Sequence, residues 1–71
     1  MSKNVVANMA GTVIEVLVKP GDTVSEGMDV VTLESMKMQM FIPSEQDGTV
    51  KEIKVNAGDF VNEGDTLITL E

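Results

Sequence analysis

Residues 11–34, GTVIEVLVKPGDTVSEGMDVVTLE, are followed 37 residues later by a second version of themselves, GTVKEIKVNAGDFVNEGDTLITLE at residues 48–71. An ungapped alignment of the two stretches gives 13 identities in 24 positions, and all six glycines of the chain pair at this offset. Self-similarity at a fixed period indicates a fold built from repeated units. The chain therefore divides into repeats 1–34 and 38–71, joined by a junction at residues 35–37.

Each repeat has the local pattern of short β-strands separated by turns. β-Branched residues dominate, and Gly, Pro, Asn and Asp interrupt them every few positions. Pro20-Gly21-Asp22 predicts a turn, because Pro presets the first central φ and Gly accepts a positive φ at the second. Residues 56–59 are its counterpart. Strands are predicted at 4–7, 12–18, 29–33, 38–43, 49–55 and 66–70, with short pieces around Val24 and Val61.

The repeats predict an all-β sandwich or flattened barrel with a pseudo-twofold axis. A single repeat cannot bury a face of its strands, so we interpret each as a small meander packed face to face with the other. Positions that are apolar in one repeat only are expected at the surface: Ile14/Lys51, Leu17/Lys54 and Met28/Asp65. Positions that are apolar in both repeats form the predicted core: Val13/Val50, Val16/Ile53, Val18/Val55, Val24/Val61, Val30/Leu67, Val31/Ile68 and Leu33/Leu70.

Composition excludes most catalytic and many binding roles. The chain has no Cys or His, so it lacks a disulfide, a thiolate nucleophile, an imidazole base and the usual soft metal ligands. Its net charge of −7 disfavours nucleic acid and anionic membrane partners. The repeated carboxylates, Asp22 with Asp59 and Glu26 with Glu63, are better explained as turn caps than as an acid/base pair. We therefore expect a non-catalytic protein without a metal site. Residues 1–4 have no apolar leader pattern and no apolar run is long enough to span a membrane, so we expect a cytoplasmic protein.

The junction is the one segment without a counterpart. Half of the six methionines fall in Met36-Lys37-Met38-Gln39-Met40, and large apolar side chains at a loop tip indicate that something docks there. The symmetry axis predicts both chain termini near one edge and a tight hairpin carrying Lys37 at the opposite edge. The alternative is a solvated lysine between strand residues that face inward.

Glu34-Ser35-Met36-Lys37-Met38, followed by Ile42-Pro43 and Gly48-Thr49-Val50, resembles the biotinyl domain of biotin carboxyl carrier proteins (the biotin/lipoyl attachment family). The resemblance covers the whole chain as a single domain, 1–71, in the small form without a protruding insertion. It implies two four-stranded antiparallel sheets in a barrel-sandwich hybrid. It also implies biotin attached to Lys37 through its ε-amine, with recognition by Glu34, Ser35, Met36 and Met38. Ser35 stands where Ala is commoner in the family.

The resemblance further implies a carrier rather than an enzyme. A biotin protein ligase would attach biotin, and Lys37 would then carry the carboxyl group as carboxybiotin from a biotin carboxylase to a carboxyltransferase of an acyl-CoA carboxylase. Two alternatives remain open. A lipoyl domain shares the fold but usually has Asp-Lys-Ala at the hairpin, and an unmodified hairpin domain of a transport adaptor would have no reason to keep Lys37 between methionines.

Overall fold

Eight β-strands make up the fold that the computed structural model describes for residues 3–71, and no helix lies in that range. Met1 and Ser2 lie outside the described residues, so the predicted position of the N-terminus itself falls outside them. Every predicted strand is present with its ends within two residues. The strands are β1 (Lys3–Val6), β2 (Gly11–Val16), β3 (Thr23–Val24), β4 (Asp29–Ser35), β5 (Met38–Pro43), β6 (Gly48–Ile53), β7 (Phe60–Val61) and β8 (Thr66–Leu70).

The strands form two four-stranded antiparallel sheets, which confirms the predicted fold class. One sheet has the order β5-β4-β2-β7 and is called the tip sheet, because its β4–β5 hairpin ends in the junction. The other has the order β1-β8-β6-β3 and is called the terminal sheet, because it holds the first and the last strand, β1 and β8. Replacing each strand by its counterpart 37 residues away converts one order into the other. Within residues 3–71 no helix could cross a membrane.

The prediction that each repeat folds as its own meander is wrong, because the repeats exchange strands. β1 pairs with β8 and β3 with β6, so the terminal sheet takes two strands from each repeat, as does the tip sheet. The turn after β2 sends the chain across to the other sheet. There Gly21 N–H donates to the Val50 carbonyl at 2.9 Å, and Val50 N–H donates to the Asp22 carbonyl at 2.8 Å. Neither repeat completes a sheet by itself.

The two predicted turns are present and share one construction. Gly21 has a φ of 94°, and Asp22 N–H donates to the Lys19 carbonyl at 3.0 Å. The Asp22 carboxylate also accepts a hydrogen bond from Lys19 N–H at 3.0 Å. Asp59 does the same for Asn56 at 2.9 Å in the second repeat. These contacts satisfy backbone groups in the way Asx-type turns do, which explains why Asp22 and Asp59 recur. The same explanation is wrong for Glu26 and Glu63, whose carboxylates accept no hydrogen bond within residues 3–71.

The core lies between the sheets and follows the predicted pairs, with one exception and with three further residues, Val5, Ala7 and Ile42. Val16 and Ile53 are only partly buried and pack against the rim of the core. Val5 and Ile42 are buried and also lie 37 residues apart, but the poor match of the first ten residues hid that pair. The predicted surface residues Ile14, Leu17 and Met28 are 37 to 40% exposed.

The first and last strands pair at the symmetry equivalent of the β4–β5 hairpin. Lys3 pairs with Leu70 across β1 and β8, and the corresponding pair 37 residues away is Leu33 with Met40 across β4 and β5. Within residues 3–71, the start of β1 and the end of β8 thus lie together, as the symmetry predicts. The β4–β5 hairpin continues beyond Leu33 and Met40 to Lys37.

Candidate modification site at the β4–β5 turn

The turn between β4 and β5 contains two residues, Met36 and Lys37. Ser35 pairs with Met38 and belongs to β4, so the three-residue tip expected at 35–37 is one residue shorter. Met36 has a φ of 54° and Lys37 a φ of 65°. Two successive positive φ values are the requirement of a type I′ turn, whose twist matches that of the flanking strands. The turn therefore joins β4 directly to β5, and its two residues form the end of the hairpin.

Met36 and Lys37 are poor residues for this turn. They are the only non-glycine residues with positive φ among residues 3–71. The left-handed conformation costs an L-residue roughly 1–2 kcal/mol, and Asn-Gly is the preferred type I′ sequence. Backbone strain of this kind tends to persist at functional sites, where the surrounding structure enforces it. The two side chains are thus kept at a position where better turn formers would give a more stable hairpin.

The side chains at the turn are open to solvent. Met36 is 91% exposed and Met38 is 62% exposed, so neither belongs to the core. Lys37 is exposed as well, and among residues 3–71 its amine has no hydrogen-bond or salt-bridge partner. In contrast, Lys3 donates to the Asp47 carbonyl at 3.1 Å and Lys54 contacts Glu52 at 3.0 Å. The Lys37 amine is free to react with an external group.

The predicted recognition residues surround Lys37 on two neighbouring strands. Met36 precedes it in the turn, Met38 begins β5, and Ser35 lies across from Met38. Glu34 lies one pair further down, opposite Gln39, with its side chain exposed. No cluster of three His, Cys, Asp or Glu side chains in the described range could hold a metal ion. Sequence reasoning missed the left-handed turn, since Met-Lys carries neither the Asn nor the Gly that normally predicts one.

A protein-family model described as "Biotin-requiring enzyme" matches residues 3–70, nearly the whole chain. Among curated relatives, the methylmalonyl-CoA carboxyltransferase 1.3S subunit of Propionibacterium freudenreichii subsp. shermanii is 58% identical over 33 residues, which are 46% of this chain and 27% of that protein. The biotin carboxyl carrier protein of acetyl-CoA carboxylase from Solanum lycopersicum is 54% identical over 35 residues, 49% of this chain and 50% of that protein. This chain thus spans half or less of the length of these relatives.

Solved structures share the fold. The urea carboxylase of Kluyveromyces lactis superposes on this entire chain with a TM-score of 0.92 and 25% identity, over 6% of its own length. The lipoyl domain of the 2-oxoglutarate dehydrogenase complex from Azotobacter vinelandii superposes on 87% of this chain and 78% of its own, with a TM-score of 0.70 and 37% identity. The predicted resemblance and its cofactor, biotin, agree with the family description and with the carrier-protein relative.

Proposed function

We propose that this chain, which belongs to the biotin-requiring enzyme (biotin/lipoyl attachment) family, is a biotin carboxyl carrier whose biotin is attached to Lys37. The observation that carries the proposal is the free, exposed amine of Lys37 at a two-residue turn. That site fits a covalently attached group, because neither a paired carboxylate nor a covering side chain must be displaced within the described structure. The flanking methionines offer apolar contact to whatever enzyme approaches the amine.

Attachment forms an amide bond between Nζ of Lys37 and the carboxyl carbon of biotin. A biotin protein ligase would supply the biotin as its adenylate, accept the proton that the ammonium loses, and release AMP. An exposed ammonium is a poor nucleophile, and this chain places no base beside Lys37, so activation is assigned to the ligase. When attached, biotin supplies a ureido nitrogen that accepts and releases a carboxyl group.

The role of this chain is placement. Six residue pairs join β4 to β5 below the turn. The backbone of Lys37, from which the biotinylated side chain extends, therefore has a fixed position relative to the two sheets. A tethered group reaches successive active sites at a high effective concentration instead of diffusing between them. We assign those sites to a biotin carboxylase and a carboxyltransferase of an acyl-CoA carboxylase. The carrier-protein relative of acetyl-CoA carboxylase supports this choice.

Intact mass after co-expression with a biotin ligase tests the proposal. The expected result is a mass gain of one biotinyl group that is lost in Lys37→Arg, which keeps the charge but cannot form the amide. Peptide mapping should place the group on Lys37. No gain, or biotin on Lys3, Lys19, Lys51 or Lys54, would overturn the proposal.

Lipoate is the second candidate, because the lipoyl domain of the Azotobacter complex is 37% identical to this chain and shares its fold. The methionines on both sides of Lys37 favour biotin over lipoate. The two cofactors have different masses, so co-expression with biotin ligase or lipoate ligase in parallel distinguishes them. Modification by lipoate alone would replace the biotin proposal and leave Lys37 as the attachment site.

A further inference from the structure

The outer surfaces of the two sheets differ, although the sheets share one topology. Val6 is the single large exposed apolar residue of the terminal sheet among residues 3–71. Seven others lie on the tip sheet, in its turn or directly next to its strands in the chain: Ile14, Leu17, Met28, Met36, Met38, Phe41 and Phe60. A difference between two surfaces built on the same strand order cannot come from the requirements of the fold, so it calls for a functional explanation.

The clearest contrast concerns the two aromatic residues of the chain. Phe41 is 57% exposed and Phe60 is 65% exposed, and both lie on edge strands of the tip sheet. At the equivalent positions of the terminal sheet stand Asn4 and Thr23. The terminal sheet thus shows that the fold accepts polar residues at these two positions. Exposed aromatic side chains where polar ones suffice are typical of protein interaction surfaces.

The register places both rings on the outer face of the tip sheet. Phe60 pairs with Thr12, Thr12 with Glu34, and this row of exposed or half-exposed residues crosses the sheet. Phe41 pairs with Thr32, which lies two residues from Glu34 on β4. Residues that pair directly across strands share a face, as do residues two apart on one strand. Three strand spacings of about 4.8 Å, together with an offset of two residues along the strands, put the two positions roughly 16 Å apart.

This outer face is also acidic. Glu34 and Glu15, the latter paired with Thr32, lie on it, and both side chains are exposed. The other described lysines belong to the terminal sheet or its connections: Lys3 lies in β1, Lys51 in β6, Lys54 directly after β6, and Lys19 in the turn that bonds to β6. The face thus combines aromatic rings with carboxylates and has no lysine except Lys37 at the turn. Such a face favours a partner whose surface offers arginine or lysine.

We propose that the outer face of the tip sheet docks onto a basic, partly apolar surface of the enzyme that acts on the group carried by Lys37, namely the biotin carboxylase. This inference rests on the proposed function. A ligase reacts at Nζ and must contact the turn itself. An enzyme that acts at the far end of the attached arm does not have to enclose Nζ, so it can hold the domain by the sheet face next to the turn, with Met36 and Met38 at the margin of the contact.

The size of the face agrees with a transient contact. The strands β5, β4, β2 and β7 have six, seven, six and two residues. At about 3.3 Å per residue and about 4.8 Å between strands, the face has an area of roughly 330 Å². Stable complexes bury about 800 Å² on each partner. A carrier has to leave one active site for the next, and a small contact with a few aromatic anchors allows fast release.

The test is a steady-state titration with the biotinylated domain as substrate. The purified biotin carboxylase of the source organism is supplied with ATP and bicarbonate, and ADP release is followed against carrier concentration. The variant Phe41→Asn/Phe60→Thr installs the residues of the terminal sheet. We expect KM for the carrier to rise about tenfold or more with little change in kcat, unchanged Tm and unchanged ligase kinetics. Val6→Thr, which removes the exposed apolar residue of the terminal sheet, should leave KM unaltered.

Charge reversal at equivalent positions supplies a second comparison. Glu15→Lys should raise KM, whereas Glu52→Lys, 37 residues away on the terminal sheet, should not. Equal KM values for wild type and Phe41→Asn/Phe60→Thr would overturn the docking surface. An effect on the ligase alone would overturn the assignment to the carboxylase, and loss of a wild-type dimer in the variant would identify a second copy as the occupant. If the wild-type domain accepts no biotin, the proposed function itself is wrong, and the docking surface is then not the cause.

Discussion

A Cβ atom built on Gly11 would lie 2.8 Å from the carbonyl oxygen of Glu34, a distance that real Cβ contacts do not show. β2 therefore approaches β4 closely two residues before the turn, and only glycine permits it. At the equivalent Gly48 the nearest atom, the Glu71 carbonyl oxygen, would be 3.4 Å away. The closer approach belongs to the repeat that continues into the Lys37 hairpin.

Gly11→Ala should destabilise the domain more than Gly48→Ala. The backbone carbonyl of Glu34 cannot rotate away as a flexible side chain would, so β2 and β4 must separate. Overpacking of this kind typically costs about 1–3 kcal/mol, and we expect less than about 1 kcal/mol for Gly48→Ala. Urea denaturation of both variants measures the difference. Equal losses of unfolding free energy would show that the Gly11 contact relaxes freely.

Replacing the turn by Asn-Gly should stabilise the hairpin and abolish its chemistry. In Met36→Asn/Lys37→Gly the left-handed conformation becomes favourable at both positions, and the free energy of unfolding should rise by about 1–2 kcal/mol. Biotin should no longer be incorporated. Lys37→Arg, which keeps the strained backbone, should lose biotin without gaining stability. Thermal unfolding and intact mass measure both effects, and an unstabilised Asn-Gly variant would argue against strain at the turn.

Met36→Ala and Met38→Ala should slow biotinylation or carboxylation several-fold without loosening the fold. Met36 is 91% exposed and Met38 is 62% exposed, so their removal leaves no cavity in the core. The unfolding temperature, followed by circular dichroism, should stay within a few degrees of the wild type. Leu33→Ala, at a fully buried position of β4 in the same hairpin, is the positive control and should cost about 2–5 kcal/mol. A methionine variant that melts like Leu33→Ala would mean that the methionine has a core role.

Peptides 1–37 and 38–71 should be unfolded separately and should form sheet when mixed. Each sheet takes two strands from each repeat, so either peptide by itself leaves strand edges and apolar faces without partners. Far-ultraviolet circular dichroism of each peptide and of the equimolar mixture is the measurement. A folded single peptide would contradict the strand exchange, and scrambled peptides of the same composition control for aggregation.

The sequence predicted the strands and most of the core because each position of one repeat can be compared with its counterpart in the other. Agreement between Val13 and Val50, for example, separates a buried site from one that merely tolerates an apolar residue. The exchange of strands was not predictable in this way, since self-similarity shows that two units are alike but not which strands pair. Val5 and Ile42 were missed because their neighbours diverge.

The site was predicted in position but not in backbone conformation. Lys37 stands out because no equivalent residue exists, yet Met36-Lys37 contains none of the residues that normally predict left-handed φ values. The register of six pairs between β4 and β5 imposes that conformation, and tertiary pairing of this kind overrides local propensity. Phe41 and Phe60 can likewise be identified in the sequence, but only the strand order of the tip sheet shows that they lie on one face.

The pairing of β2 with β7 affects the timing of modification during synthesis. On the side of β2 away from β4, Gly11 and Thr12 pair with Val61 and Phe60, so the sheet beneath Lys37 stays incomplete until the ribosome has passed residue 61. Non-local pairings of this kind form late, because a long loop must close first. A ligase that requires the rigid hairpin would therefore meet its substrate only after residues 60 and 61 have been synthesised. Truncated chains that already contain Lys37 would be left without biotin.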